Sequence, residues 1–282
     1  MRVLVTGAGG QLGRDTVLAC EALGDTVFGL DRSSLDVVDR DAVMSAVTSL
    51  RPDAVIHCAA WTAVDACESE PDRAFAANGL AVRWVAEACD RVGAHLVHIS
   101  TDYVFDGSKP TPYHEWDITN PQSVYGASKL AGEREALALG PSAAVVRTSW
   151  VCGEYGNNMV KTIMRLAAQH TELSFVDDQR GHPTFCADLA PMLRRLALDR
   201  RGGVHHVTNQ GEVSWFEFAQ AVVQAVGKSP DMVSPIATAD LLPARPAKRP
   251  ANSALDNAVL RAASLPLLPD FRESLAALVS RL

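Results

Sequence analysis

A glycine-rich turn near the N-terminus restricts the folds open to this sequence more than any other feature. Glycines occupy positions 7, 10 and 13, directly after the apolar residues 2–5 and at the start of an amphipathic segment, residues 11–23. Glycine permits a tight turn and lets the backbone approach a pyrophosphate, and the N–H groups of the following helix point at the phosphates. This strand–turn–helix context predicts that Gly7, Gly10 and Gly13 bind a dinucleotide.

Short apolar runs alternate with amphipathic segments through the first half of the chain. The predicted strands are residues 2–5, 26–30, 54–57, 95–100 and 143–147, and the predicted helices are residues 11–23, 41–50, 72–92 and 123–139. Apolar strands that alternate with helices are typical of a parallel sheet covered on both faces. The sequence therefore predicts an α/β fold with a Rossmann-type, doubly wound parallel sheet.

The alternation changes after about residue 151. Helices are predicted at residues 158–169, 188–199, 215–226 and 271–282, with a loop-rich stretch at 177–184 and one short strand at 205–208. This pattern indicates a smaller lobe whose chain returns to the sheet. We expect residues 1–152 and 187–209 to form the dinucleotide-binding Rossmann domain, and residues 153–186 and 210–282 to form a C-terminal substrate-binding lobe.

Two charged residues follow the second predicted strand, about 20 residues after the glycine motif, where such domains hold the adenosine ribose. Asp31 is placed to bind the ribose hydroxyls of NAD, whereas the adjacent Arg32 is placed to pair with the 2′-phosphate of NADP. Because the two residues favour different cofactors, the choice between NADH and NADPH stays open.

Tyr125 and Lys129 lie four residues apart in a predicted helix, so their side chains share one face. A neighbouring ammonium is expected to lower the phenol pKa of a tyrosine from its usual value of about 10. Such a phenol gives a proton to a ketone oxygen as hydride reaches the carbon. Thr101, at the end of the fourth predicted strand, is placed to orient the same carbonyl. These residues predict an NAD(P)H-dependent reductase.

Charge, cysteine content and hydropathy exclude several other classes. The net charge of −7 provides no basic surface for nucleic acid or for a membrane. No apolar run approaches the roughly 20 residues that span a bilayer, and the first strand begins almost at Met1, which leaves no room for a signal peptide. The six cysteines form no C-x-x-C pair and are expected to be buried free thiols. We therefore expect a cytoplasmic protein with a small-molecule substrate.

Several motifs along nearly the whole chain resemble those of the extended short-chain dehydrogenase/reductases and, among these, the dTDP-4-dehydrorhamnose reductases. The segments Ser-Thr-Asp-Tyr-Val-Phe and Arg-Thr-Ser-Trp are the most specific of them. The matching segments are the glycine motif and residues 59–65, 100–107, 125–133, 147–150, 156–158, 178–184, 214–219 and 249–253. The resemblance implies reduction of the 4-keto group of dTDP-4-dehydro-L-rhamnose to dTDP-L-rhamnose.

The resemblance also implies a role for individual residues. The implied cofactor contacts are Gly10, Gln11 and Leu12 along the pyrophosphate, Asp36 and Val37 beside the adenine, and Ala59, Ala60 and Trp61 along the cofactor. The implied catalytic residues are Thr101, Tyr125 and Lys129, of which Lys129 also holds the nicotinamide ribose. The implied substrate contacts are Thr101, Asp102 and Trp150 at the sugar nucleotide and Arg249 at a phosphate.

Two alternative functions remain at the level of sequence. A reductase of another keto-deoxysugar nucleotide would carry the same catalytic residues, because specificity resides in pocket contacts. The regulatory subunit of methionine adenosyltransferase also resembles this family and acts as a binding partner, although an intact Thr101, Tyr125 and Lys129 favours catalysis.

Some members of the family bind magnesium at a dimer interface. Asp15 fits one such position, but residues 184–188 supply a single acid, so we predict neither a metal nor a choice between monomer and homodimer.

Overall fold

A six-stranded parallel sheet forms the centre of the molecule. The structure is a computed structural model that describes all 282 residues. Its strands are β1 (Arg2–Thr6), β2 (Thr26–Leu30), β3 (Ala54–His57), β4 (His95–Thr101), β5 (Ala143–Thr148), β6 (Val151–Cys152), β7 (Leu173–Val176), β8 (Arg180–Gly181), β9 (Thr184–Phe185), β10 (Gly203–His206), β11 (Val213–Ser214) and β12 (Val233–Ile236). The central sheet has the strand order β10-β5-β4-β3-β1-β2. The predicted α/β class and parallel sheet are therefore confirmed.

Helices cover both faces of this sheet. They are α1 (Gln11–Ala22), α2 (Arg40–Leu50), α3 (Val64–Ser69), α4 (Pro71–Phe75), α5 (Ala81–Val92), α6 (Val124–Leu137), α7 (Met159–Gln169), α8 (Cys186–Leu198), α9 (Trp215–Ala225), α10 (Ala258–Ala262) and α11 (Phe271–Val279). Helices α1 and α8 pack on one face, and α2, α5 and α6 pack on the other. The element ends predicted from sequence differ from these bounds by a few residues, except in one helix described below.

Side chains that alternate along each strand supply two separate cores. In β1, Val3 and Val5 join the core shared with α1 and α8, whereas Leu4 joins the core shared with α2 and α5. Successive side chains of a strand point to opposite faces of the sheet, so a strand that is apolar throughout is stable only when both faces are covered. This is the reason that the sheet strands read as continuous apolar runs in the sequence.

A third core holds the smaller lobe together. It is formed by residues of α7, α9 and α11 with short strands around them, and Ile163, Phe218 and Phe271 are its large, fully buried members. The chain returns to the central sheet through β10, as expected. Leu260 and Leu265, which we assigned to the lobe, pack in the core beneath the central sheet instead. The division into residues 1–152 with 187–209 and residues 153–186 with 210–282 stays a prediction.

The prediction of one regular α-helix over residues 72–92 is wrong. The segment consists of α4, a π-helical turn at Ala76–Leu80 and α5, and it is preceded by the unpredicted α3. Asn78 lies within the π-turn and is buried. Its amide oxygen accepts a hydrogen bond from the backbone N–H of Trp61 (2.8 Å), and its amide nitrogen donates to the Trp61 carbonyl (3.0 Å). The wider turn therefore carries a side chain that braces the loop after β3.

The structure also bears on the cysteines and on membrane-spanning helices. All six cysteines are free thiols, and five of them are buried, while Cys58 is partly exposed. None of the helices is both long enough and apolar enough to span a bilayer.

Candidate active site

The glycine turn between β1 and α1 has no room for side chains. Gly7 has a φ of +67°, and a Cβ atom there would lie 2.7 Å from the backbone nitrogen of Ala59. A Cβ atom on Gly13 would overlap the carbonyl oxygen of Gly7. The backbone N–H of Gly10, the residue that precedes the first turn of α1, donates to that same oxygen (2.9 Å). The turn is thus tight enough for a backbone cradle of the kind that binds pyrophosphate.

A cavity of about 610 Å³ opens beside this turn at the carboxyl ends of β1, β2 and β3. It brings together most of the residues that the sequence assigned to the cofactor. These lining residues are Gly7, Gly10, Asp31, Arg32, Asp36, Val37, Ala59, Ala60 and Trp61. The cavity is large enough for a nucleotide and lies where open parallel sheets bind their ligands.

Asp31 and Arg32 differ in how firmly they are held. The Asp31 carboxylate accepts hydrogen bonds from the Ser33 hydroxyl (2.6 Å) and from the backbone N–H groups of Ser33 (2.9 Å) and Ser34 (3.1 Å). These hydrogen bonds, with that from the Ser33 side chain foremost, lower the pKa of Asp31 and keep it ionised. Arg32 is exposed at the rim of the cavity, so its guanidinium is free to reach a ligand.

A second cavity, of about 460 Å³, adjoins the first one and contains the catalytic candidates. Ser123 caps the start of α6 by accepting a hydrogen bond from the Gly126 backbone N–H (3.1 Å). This cap places Tyr125 and Lys129 in the first two turns, facing the carboxyl end of β4, where Thr101 lies. All three line the cavity, as do Gln11, Leu12 and Gly13 of the glycine turn and the substrate candidates Asp102 and Trp150.

The direction in which the pKa of Tyr125 is shifted differs from our expectation. Burial raises the phenol pKa of Tyr125 above its ordinary value, whereas we expected Lys129 to lower it. The Lys129 ammonium donates a hydrogen bond to the Ile99 carbonyl oxygen (2.5 Å), and burial lowers the pKa of Lys129 to about 8. In a site this enclosed, desolvation disfavours the charged form of both groups. A phenol that stays protonated is suited to donate a proton.

Asp102 is a buried acid beside the catalytic threonine. Its Oδ1 atom accepts a hydrogen bond from the Thr101 hydroxyl (2.9 Å), and its Oδ2 atom is buried without a hydrogen-bond partner. Burial raises the pKa of Asp102 to about 6. A buried carboxylate oxygen without a partner is costly unless a ligand supplies one, so this atom is suited to accept a hydrogen bond from a sugar hydroxyl.

Trp150 has a left-handed backbone and stacks on a residue that the sequence did not single out. Its φ is +46°, a conformation that is uncommon for side chains other than glycine and is stabilised by its surroundings. The Trp150 and Trp215 rings lie parallel with their centroids 3.6 Å apart, and both line the second cavity. In the sequence, Trp215 belongs to the matching segment 214–219, and its position at the start of a predicted helix was the one signal for a role at the site.

Arg249 is paired with an acidic side chain in this structure. Its guanidinium forms two hydrogen bonds with the Asp65 carboxylate, at 2.5 Å and 2.8 Å, and it is not among the residues that line either large cavity. The suggestion that Arg249 meets a substrate phosphate stays a prediction.

Asp15 is the residue that fits a magnesium position of some family members. Asp15 lines a third cavity, of about 220 Å³, with Glu154 and Asp188. Asp188 already accepts hydrogen bonds from Asn209 (2.8 Å) and Ser274 (2.5 Å), and no three acidic, histidine or cysteine side chains lie close enough to hold a metal ion. Burial, with the nearby Glu154 as a second cause, raises the pKa of Asp15.

Comparison with known proteins supports this arrangement. The family model described as RmlD substrate binding domain matches residues 1–282. A dTDP-4-dehydrorhamnose reductase of Streptomyces griseus is 45% identical over 280 residues, which are 97% of this chain and 91% of the relative. A dTDP-4-keto-6-deoxy-D-glucose reductase of Streptomyces niveus is 39% identical over 236 residues, which are 83% and 82% of the two chains.

A solved structure extends the likeness to three dimensions. The dTDP-4-dehydrorhamnose reductase of Bacillus anthracis, determined in complex with NADP, superposes with a TM-score of 0.95 at 39% identity. The match covers 100% of this chain and 99% of that one. With the glycine turn, the catalytic candidates and the full-length family match in agreement, this chain belongs to the dTDP-4-dehydrorhamnose reductase family of the extended short-chain dehydrogenase/reductases.

Proposed function

We propose that this protein uses NADPH or NADH to reduce the 4-keto group of dTDP-4-dehydro-L-rhamnose, which yields dTDP-L-rhamnose. The observation that carries the proposal is the convergence of Thr101, Tyr125 and Lys129 in one cavity beside the glycine turn. The relatives that are named for this reaction support the choice of sugar.

The residues present fit a nicotinamide dinucleotide, because Gly7 and Gly13 leave no room for a Cβ atom against the neighbouring backbone and so permit the tight turn that a pyrophosphate needs. When bound, the reduced nicotinamide supplies the hydride. Tyr125 donates the proton to the carbonyl oxygen, and Thr101 orients that oxygen with its hydroxyl. The Lys129 ammonium stabilises the developing phenolate and holds the nicotinamide ribose. Asp102 and Trp150 hold the sugar, and the stacked Trp215 keeps Trp150 in place.

The direct test is the oxidation of NADPH and NADH by the purified protein with dTDP-4-dehydro-L-rhamnose. We expect turnover well above the rate without protein and dTDP-L-rhamnose as the product. Cofactor binding without turnover on this sugar, but with turnover on another keto-deoxysugar nucleotide, would replace the substrate and keep the reaction class.

One relative makes that second candidate specific. The Streptomyces niveus relative is named for the reduction of dTDP-4-keto-6-deoxy-D-glucose, so this sugar is the first alternative to assay. Binding of the cofactor without turnover of any keto sugar would favour a regulatory role, such as that of the methionine adenosyltransferase subunit.

Arg32 is expected to decide affinity for the 2′-phosphate of NADPH. Replacing Arg32 by Ala removes a charge-assisted contact, so the Kd for NADPH should rise on the order of tenfold while that for NADH changes little. The measurement is a fluorescence titration of both cofactors, with Arg91→Ala as the control because Arg91 is exposed on α5 and lines neither cavity. Equal changes for both cofactors would mean that Arg32 does not contact the 2′-phosphate.

Asp102 is expected to impose an acidic limit on catalysis. Because burial raises its pKa to about 6, its carboxylate is ionised above that pH and becomes a neutral acid below it. The neutral form no longer accepts freely from Thr101 and the sugar, so kcat/KM should fall as the pH drops below about 6. Asp102→Asn should be slower throughout and should lack this acid limb. A pH profile in which the limb persists in the Asn variant would contradict the assignment.

A further inference from the structure

A buried ion pair lies one helical turn beyond Lys129. The Glu133 carboxylate accepts hydrogen bonds from Nε and Nη2 of Arg147 in β5, at 2.9 Å and 2.8 Å. Glu133 Oε1 also accepts from the Ser100 hydroxyl in β4 (2.6 Å). All three side chains are buried. A buried carboxylate with this many charge-assisted partners is held in a single geometry.

Glu133 joins the two elements that carry the catalytic groups, α6 and β4, through its hydrogen bond with Ser100. Ile99, Ser100 and Thr101 are consecutive at the carboxyl end of β4: the Ile99 carbonyl accepts from the Lys129 ammonium, and Ser100 donates to Glu133. The third of these residues, Thr101, lines the cavity with Tyr125. Residues four apart on a helix are neighbours on its surface, so Lys129 and Glu133 project from the same face of α6. Glu133 thus fixes the register between the catalytic helix and the strand that presents Thr101.

Glu133 also affects the protonation of Lys129, which depends on the charged and titratable groups around it. His57 in β3, Cys58 after it and His98 in β4 face Lys129, and burial shifts their pKa values so that both histidines stay neutral and the thiol stays protonated. From β5, Arg147 is bonded to Glu133. Burial lowers the pKa of Lys129 to about 8, and the Glu133 charge opposes this effect. Glu133 is the carboxylate in this set and therefore favours the ammonium.

We propose that Glu133, held by Arg147 and Ser100, is a positioning residue for the reduction, which keeps Lys129 in its ammonium form and holds the first turns of α6 against the end of β4. This inference rests on the proposed function, because the ammonium is the form that stabilises the developing phenolate. Glu133 itself lines neither large cavity and acts through Lys129.

The test combines an NMR titration with a kinetic profile. The chain has five lysines, so protein grown with lysine labelled with 13C at Cε shows few signals, and a Lys129→Met variant assigns that of Lys129. In Glu133→Gln we expect the titration midpoint of Lys129 to be lower by about one pH unit. The alkaline limb of the kcat profile should move to lower pH by a similar amount. The control is Glu135→Gln on the same helix, which makes no ion pair and should match the wild type.

Each outcome decides the inference. A midpoint and a limb that both coincide with those of the wild type would overturn it, even if the variant is less stable. If Glu133→Gln does not fold, the double variant Glu133→Leu/Arg147→Met replaces the pair with apolar side chains, which buried pairs often tolerate, and a smaller shift in the same direction is expected there. A shifted Lys129 midpoint in a protein that reduces no keto sugar would overturn the proposed function and leave the effect of Glu133 on Lys129 established.

Discussion

The Tyr125→Phe variant is expected to lose turnover by a factor of roughly 10² to 10⁴, which is the usual contribution of a positioned general acid. The phenol is the proton donor that lines the cavity with Thr101, and burial raises its pKa and so keeps it protonated. Phenylalanine preserves the ring and its edge-to-face packing on Tyr103, whose ring centroid lies 5.7 Å away, so the cavity should keep its shape. Affinity for NADPH should therefore stay nearly unchanged while kcat collapses.

Steady-state kinetics and a cofactor titration on the same preparation separate these two quantities. Tyr155→Phe is a matched control, because Tyr155 contacts Arg14 and lines none of the three described cavities. That variant should retain wild-type turnover. A Tyr125→Phe protein that still reduces the sugar at a rate close to that of the wild type would remove Tyr125 from the mechanism.

The Arg147→Met variant is expected to lower the free energy of unfolding by about 3–5 kcal/mol, because it leaves the Glu133 carboxylate buried without its charged partner. Only 4% of Arg147 and 1% of Glu133 is exposed, so solvent cannot replace the lost interaction. Globular domains are stable by only about 5–15 kcal/mol, so this loss is a large fraction of the total. Urea unfolding followed by circular dichroism measures it.

Two variants identify the cause of that loss. The double variant Glu133→Leu/Arg147→Met removes the stranded charge as well and should regain most of the stability. Arg134→Met, at an exposed position of the same helix, should change stability by well under about 1 kcal/mol. If the single and double variants are equally unstable, the loss comes from packing and not from an unpaired carboxylate.

The central sheet was predictable because its strands carry their own signal. Strands β2 and β3 coincide with the predicted ranges. All four residues of β3 are buried between helices on both faces, which demands an apolar run such as Ala54–Ile56. The short strands and helices of the smaller lobe were less visible. A two-residue strand such as β8 is defined by its partner β11 and has no periodicity of its own.

The site was predictable where function depends on local spacing. Tyr125 and Lys129 are four residues apart in one helix, and the three glycines lie in one turn. Their proximity in space therefore follows from their proximity in the sequence. Contacts between distant segments have no such signal. Arg249 binds Asp65 across 184 residues, and the partner of Trp150 became apparent only from the stacking of its ring on Trp215 at the start of α9. The direction of the Tyr125 pKa shift differs from the prediction, because spacing carries no information about burial.

The π-turn between α4 and α5 shows how a binding feature can be added to a helix without altering its core. A π-turn closes with an i→i+5 hydrogen bond and so holds one residue more than an α-helical turn. Because the surplus residue is absorbed within that single turn, the flanking segments keep their rotational phase. Ala74 before it and Val82 and Val85 after it all remain buried. The wider turn therefore lets Asn78 reach Trp61 and Ser128 while the apolar residues on either side of it stay buried.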